Sequence, residues 1–291
     1  MIQERLKIFR KKLKKEIIET DGFLVTNLKN IYYLSGFNGE GTVLITKDIG
    51  YLFTDSRYTE QAKKESPEFK IITDKPKKRN ARLLSLEEII EKDKIKKIAF
   101  EGKNISYANF KKYSDRFQNI EFIPTEDFVE QTRMVKDREE IIKIKKAAQI
   151  TTESLKEIFE MIEPGVRELD IATELAYTMR KKGAQKEAFE SIVVSGERSS
   201  LPHGKPSEKK ISEGELITID AGANYQNYNS DITRTIVLGE ENEKQKEIFS
   251  IVLEAQEETL KSLKPGLKSV SYTHLRAHET PEHLVCRLLL E

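Results

Sequence analysis

The sequence predicts an α/β domain over residues 1–128 and, over residues 129–270, a second domain in which long helices precede β-strands. Three observations carry this reading: short β-branched runs alternating with helical patterns in the first part, apolar residues at helical spacing from Ile141 onward, and two β-branched stretches joined by a polar loop within residues 216–238. At 291 residues the chain is long enough for two cores of ordinary size.

The first element is ERLKIFRKKLKKEIIE, a basic amphipathic helix whose polar face is interrupted by acidic residues. Packing against its own domain explains that pattern better than a membrane surface does. GFLVTN, GTVLIT, GYLFTD, FKIIT, KKIAF and IEFIPT then read as strands, with RYTEQAKKE, LLSLEEIIEK and YANFKKYSDRF as helices between them. Gly36, Gly39 and Gly41 match neither the dinucleotide nor the P-loop spacing and are expected in a turn. Arg57 and Tyr58 are expected at a solvated helix start.

Near Thr125 to Lys136 the character of the chain changes. Asp137 and Glu140 form a capping-box pattern, and Ile141, Ile144, Ala148, Leu155, Ile158, Phe159 and Ile162 line one face of a helix that Pro164 and Gly165 stop. A second helix from about Glu168 ends in Arg180, Lys181, Lys182 and Gly183, which suits the negative end of the helix dipole and a glycine cap. The segment TLKSLKPGLKSV at residues 259–270 parallels IFEMIEPGVREL at 158–169, so the helix and Pro-Gly unit recurs.

Between these units, residues 216–223 and 231–238 read as the strands of a hairpin, with Asp220 and Asp231 at opposite ends. Pairing about the centre of the loop would set the two directly opposite, with Cβ atoms roughly 5 Å apart. Carboxylates that close repel unless a proton or cation lies between them, so the pair is a candidate metal site. The plainer alternative is that each Asp caps a turn. Against it, the ten intervening residues are long for a simple turn, and Asp220 ends the apolar run ELITID, which predicts a carboxylate near a core and in need of a partner.

From Phe189 through SIVVSGERSSLPHGKPSEKKISEGELITIDAGANYQNYNSDITRT the chain closely resembles the Xaa-Pro aminopeptidases and prolidases of the pita-bread metallopeptidases. The resemblance joins an S-G…PHG loop, a D-x-G-A strand and an S-D-x-T-R-T strand in order. IYYLSGF and YLFTDSRYTEQA likewise resemble the creatinase-type N-terminal domain. The resemblance implies an α/β N-terminal domain plus an α+β pita-bread catalytic domain. It implies that Asp220 is a terminal ligand of one metal, that Asp231 bridges two, and that His203 lies beside the substrate and helps stabilise the tetrahedral intermediate. The implied activity is hydrolysis of the Xaa-Pro bond, at the N-terminus of peptides or in dipeptides, by metal-activated water. Two divalent ions are implied; hard carboxylate ligands suit Mn²⁺, with Co²⁺ and Zn²⁺ also compatible. A homodimer or higher homo-oligomer and proline-containing peptide substrates follow from the same resemblance. Aminopeptidase and dipeptidase remain open alternatives.

The second half of such a domain would supply one His and two Glu ligands. After Val270 the chain instead reads SYTHLRAHETPEHLVCRLLLE, where lysine disappears and three of the four His and the single Cys collect. His278, Glu279, His283 and Cys286 fit no zinc spacing. Residues 271–291 are therefore expected to be foreign sequence, joined by frameshift or read-through, leaving a catalytic domain truncated in its second half and inactive as written. A non-catalytic peptide- or protein-binding relative and a creatinase-like amidinohydrolase are the alternatives. The two Asp argue against the latter.

Composition excludes other classes. With 50 basic and 49 acidic residues, no long-range field draws the chain to nucleic acid, and no groove-reading motif is present. No segment is long and apolar enough to span a membrane. One Cys permits no internal disulfide, and the lysine-rich start is not a signal peptide, so a cytoplasmic protein is expected.

Overall fold

The computed structural model describes residues 1–17, 19–73 and 81–266. It divides into two compact units between Lys136 and Asp137.

In the first unit, helix α1 (Ile2–Glu16) leads into β1 (Gly22–Val25), α2 (Leu28–Ser35), the hairpin β2 (Gly41–Thr46) and β3 (Gly50–Thr54), then α3 (Thr59–Glu65) and β4 (Lys70–Thr73). After these come α4 (Ala81–Lys92), β5 (Lys97–Glu101), α5 (Tyr107–Arg116), β6 (Glu121–Thr125) and α6 (Phe128–Arg133). The six strands form one mixed sheet in the order β4-β3-β2-β1-β5-β6. Both faces are covered, which is why its strands read as unbroken apolar runs. Phe23, Val25, Val43, Ile45 and Leu52 face α1 and α2, whereas Leu24, Leu44, Tyr51, Phe53 and Ile98 face Leu86, Ile89 and Ile90 of α4.

The first unit runs past the expected limit at residue 128 because α6 belongs to its core. The Phe128 ring stacks on Phe23 at 5.2 Å and meets Phe9 edge-on at 5.5 Å. Glu101, at the end of β5, is buried and ties down the start of α2. It accepts from the backbone N–H groups of Thr26 and Asn27 at 2.7 and 2.8 Å and from Asn30 Nδ2 at 2.6 Å. Gly36 has a positive φ of 81° at the C-cap of α2, a conformation that glycine adopts without strain.

The second unit opens with α7 (Arg138–Phe159) and α8 (Glu168–Lys181). The Asp137–Glu140 capping box is present, and Gly165 and Gly266, which follow the two matched prolines, both have positive φ. Leu155, Ile158 and Ile162 of the expected stripe are buried and Phe159 packs against the same core, but in the first half of α7 the buried face is rotated away from Ile141, Ile144 and Ala148. Ala147, Ile150, Thr151, Ser154, Leu155 and Ile158 are buried, whereas Ile141 is exposed. Two small hydroxyl residues, Thr151 and Ser154, also sit on the core face, which apolar periodicity alone does not show.

Strands β7 (Lys186–Glu187), β8 (Ile192–Ser195), β9 (Leu216–Ala221), β10 (Ala223–Tyr225), β11 (Tyr228–Asn229) and β12 (Ile232–Val237) follow, then α9 (Glu243–Ser262). They make two three-stranded sheets, β12-β9-β8 and β11-β10-β7. Ile217, Ile219 and Ala221 of β9 point into a core with Ile150, Leu155, Leu175 and Met179. No helix among the described residues is long and apolar enough to cross a membrane.

Candidate metal centre

The hairpin that carries the two aspartates turns at Gln226 and Asn227, both with positive φ (49° and 67°), as a two-residue hairpin turn requires. Asn224 pairs with Asn229 and Tyr225 with Tyr228, so most of the expected loop is itself strand. The turn lies one residue later than the midpoint between the aspartates. As a result Asp220 opposes Thr233, not Asp231, and Ala221 opposes Ile232. Asp231 is diagonal to Asp220 on the same face of the sheet, where long side chains still meet.

The alternation along β9 also corrects the expected surroundings of Asp220. Residues 217, 219 and 221 face the core, so Asp220 projects from the opposite face and is half-buried. Its Oδ1 accepts a hydrogen bond from Thr233 Oγ1 at 2.8 Å. Asp231 is exposed, yet its carboxyl is held above the ordinary value. Partial desolvation is the largest cause, followed by the charge of Asp220 and a hydrogen bond shared with it. The two carboxyl groups therefore crowd one another, and a cation would relieve that crowding.

Asp231 is fixed from behind by a buried polar cluster. Ser230 Oγ and Thr151 Oγ1 lie 2.8 Å apart, and both accept from the backbone N–H of Ala223, at 3.0 and 2.9 Å. Ser230 Oγ also donates to the carbonyl of Ala147 at 3.1 Å. Gly222 permits the close approach this needs, since a Cβ there would stand 2.0 Å from the carbonyl oxygen of Ser230.

His203 lies in the segment between β8 and β9 and is exposed. Ile192 and Val194 of β8 pair with Asp220 and Thr218, so they share the aspartate face. A Cβ on Gly204 would come within 2.6 Å of Val194 Cγ1, which places the loop next to His203 over that face. The structure thus gathers the Asp220–Asp231 pair and the His203 loop on one side of one sheet. Among the described residues, no group of three or more His, Cys, Asp or Glu stands where it could hold a metal. Sequence reasoning missed Thr233, Thr151 and Ser230 as supports. Ser230 and Thr233 carried a signal, their places in S-D-x-T-R-T, whereas Thr151 carried none.

A model of metallopeptidase family M24 matches residues 142–284, and one of the creatinase/prolidase N-terminal domain matches residues 5–135. An Xaa-Pro dipeptidase of Pyrococcus horikoshii is 39% identical over 268 residues, covering 89% of this chain and 73% of that protein. The chain belongs to metallopeptidase family M24. It is a hydrolase of creatinase N-terminal plus pita-bread architecture. Among solved structures, an Xaa-Pro dipeptidase from Bacillus anthracis aligns with a TM-score of 0.88 and 37% identity, covering 94% of this chain and 76% of that one. An X-Pro aminopeptidase from Thermotoga maritima aligns with a TM-score of 0.83 and 41% identity, covering 91% and 76%. The M24 match extends past Val270 to residue 284. Residues 271–291, with His278, Glu279, His283 and Cys286, lie outside the described residues.

Proposed function

We propose that this M24 chain carries the first metal-ligand pair of a peptidase that hydrolyses the bond between any residue and proline. The single observation that carries the reading is the crowding of Asp220 and Asp231 on one face of the β9–β12 hairpin. Asp220 and Asp231 would hold divalent ions through carboxylate oxygens, a hard donor set that suits Mn²⁺, with Co²⁺ and Zn²⁺ also compatible. When bound, such ions supply Lewis-acid activation of water and of the scissile carbonyl. Thr233 fixes the rotamer of Asp220 through its hydroxyl, so one ligand is oriented in advance. His203 would donate an imidazole N–H to the substrate carbonyl oxygen as negative charge develops there.

Proline-containing dipeptides and peptides are the proposed substrates, by likeness to relatives named Xaa-Pro dipeptidase and X-Pro aminopeptidase. A cytoplasmic setting and a homo-oligomeric parent belong to the same proposal. The test begins by sequencing the gene across the codons for Lys268 to Tyr272. The product it encodes is then assayed on Xaa-Pro and Xaa-Ala dipeptides and tripeptides, with and without chelator. Metal-dependent cleavage confined to Xaa-Pro supports the reading. A product that binds no divalent ion, or that cleaves Xaa-Ala equally well, overturns it.

A further inference from the structure

We infer that Glu168 is a positioning residue that clamps the loop carrying His203 at both of its ends. Glu168 is the first residue of α8 and is fully buried. Its Oε1 accepts from the backbone N–H and the hydroxyl of Ser195, at 2.7 and 2.9 Å, where the chain leaves β8. Its Oε2 accepts from the backbone N–H and the hydroxyl of Ser207, at 3.2 and 2.7 Å, where the chain returns. One carboxylate thereby joins positions on either side of His203.

Two further contacts close the clamp. Arg198 Nε donates to Glu168 Oε2 at 3.2 Å, and Arg198 Nη2 donates to the carbonyl of Lys205 at 2.7 Å, so the guanidinium spans the base of the segment that holds His203. The first turn of α8 also uses its unpaired N–H groups on the returning chain. Glu168 N donates to the carbonyl of Lys209 at 3.0 Å and Leu169 N to that of Ser207 at 3.1 Å. Lys209 Nζ braces the other end, donating to Ser195 Oγ at 2.9 Å and to Glu215 Oε2 at 2.6 Å.

Stability alone does not call for this arrangement. A buried carboxylate loses its hydration, and packed apolar groups stabilise a core as well or better. Only a carboxylate, with several acceptor sites on two oxygens, can take donors from two chain segments and a guanidinium together. All five donors lie at Ser195, Arg198 and Ser207, and residues 196–206 between the two serines pair with no strand among the described residues. Fixing both ends removes the loop's freedom before substrate arrives, and preorganisation of a donor is what oxyanion stabilisation requires.

The inference rests on the placing of His203 beside the substrate, so its test is one that needs no turnover. The full 291-residue chain and its Glu168→Gln and Ser207→Ala variants are treated with trypsin under native conditions. Cleavage at Arg198–Ser199 is compared with cleavage elsewhere, and far-UV circular dichroism confirms folding. The His203 ring resonance, assigned by its loss in His203→Ala, is followed by NMR. Glu168→Gln is expected to speed cleavage at Arg198–Ser199 about tenfold or more and to move the His203 resonance toward its unstructured position. Ser207→Ala, which leaves the carboxylate its other donors, should shift both in the same direction by less. If Glu168→Gln does not fold, Ser207→Ala decides. Folded variants with unchanged cleavage and an unmoved His203 signal overturn the clamp. Release of the loop without loss of turnover in an active product would leave the clamp standing and remove His203 from the chemistry.

Discussion

The buried N–H of Ala223 has two acceptors, Thr151 Oγ1 and Ser230 Oγ, and this redundancy makes a quantitative prediction. Thr151→Val keeps the shape of a fully buried side chain and leaves the N–H bonded to Ser230. Ser230→Ala leaves it bonded to Thr151. Each single substitution should therefore cost about 1 kcal/mol, the net worth of an ordinary hydrogen bond. The double variant orphans the N–H and adds a desolvation penalty of about 1–3 kcal/mol, so its total is about 4 kcal/mol and the coupling is strongly non-additive. Amide hydrogen exchange at Ala223 reads this directly. Exchange should quicken about fivefold in each single variant and about a thousandfold in the double. A double variant whose acceleration equals the product of the singles would refute the shared-donor argument, and with it the claim that this cluster holds Asp231 in place.

Three other outcomes are expected. The Asp231 carboxyl is raised above its ordinary value of 3.8, so it binds its proton more tightly folded than unfolded, and the metal-free chain loses stability as pH rises through the interval between the two values. Asp231→Asn should remove that loss, by at most about 0.5 kcal/mol at neutral pH because the group is exposed and screened; a variant less stable than the parent in metal-free thermal melts contradicts the crowding. Saturable stabilisation of the parent by Mn²⁺, about 1.4 kcal/mol at ten times the dissociation constant, should vanish in the same variant when melts are repeated with metal. Gly222→Ala should cost more than about 3 kcal/mol, the upper end of ordinary substitutions, since the new Cβ meets the Ser230 carbonyl; a thermal midpoint within two degrees of the parent would show that the hairpin can relax.

Much of the first unit was legible because its six strands are covered on both faces, and doubly buried strands announce themselves as apolar runs. The paired aspartates and their hairpin were also legible, together with the capping box at Asp137 and the glycine stops at residues 165 and 183. The position of the turn was not. Asn224 and Asn229 look like loop residues, yet they face each other across two short strands, and only the backbone angles at Gln226 and Asn227 show where the chain reverses. Leu155 and Ile158 showed the buried face of α7 in its second half, but its extension through Thr151 and Ser154 was hidden, because hydroxyl residues stand where periodicity expects apolar ones. Glu168 was read only as a helix start, because composition cannot show that a charged residue is fully buried with five donors around it.

The register of the β9–β12 pair is the same as that of β10–β11 nearer the turn, so a single reversal governs both. Exposed loop tips generally accept added or deleted residues without harm. This one cannot. Removing one residue between Tyr225 and Tyr228 would slide β12 by a step and carry Asp231 to the opposite side of the sheet from Asp220. Selection on chemistry at the aspartates therefore reaches a solvent-facing dipeptide at the tip of the hairpin. Length variation in this hairpin should track loss of the metal site even where both aspartates are retained.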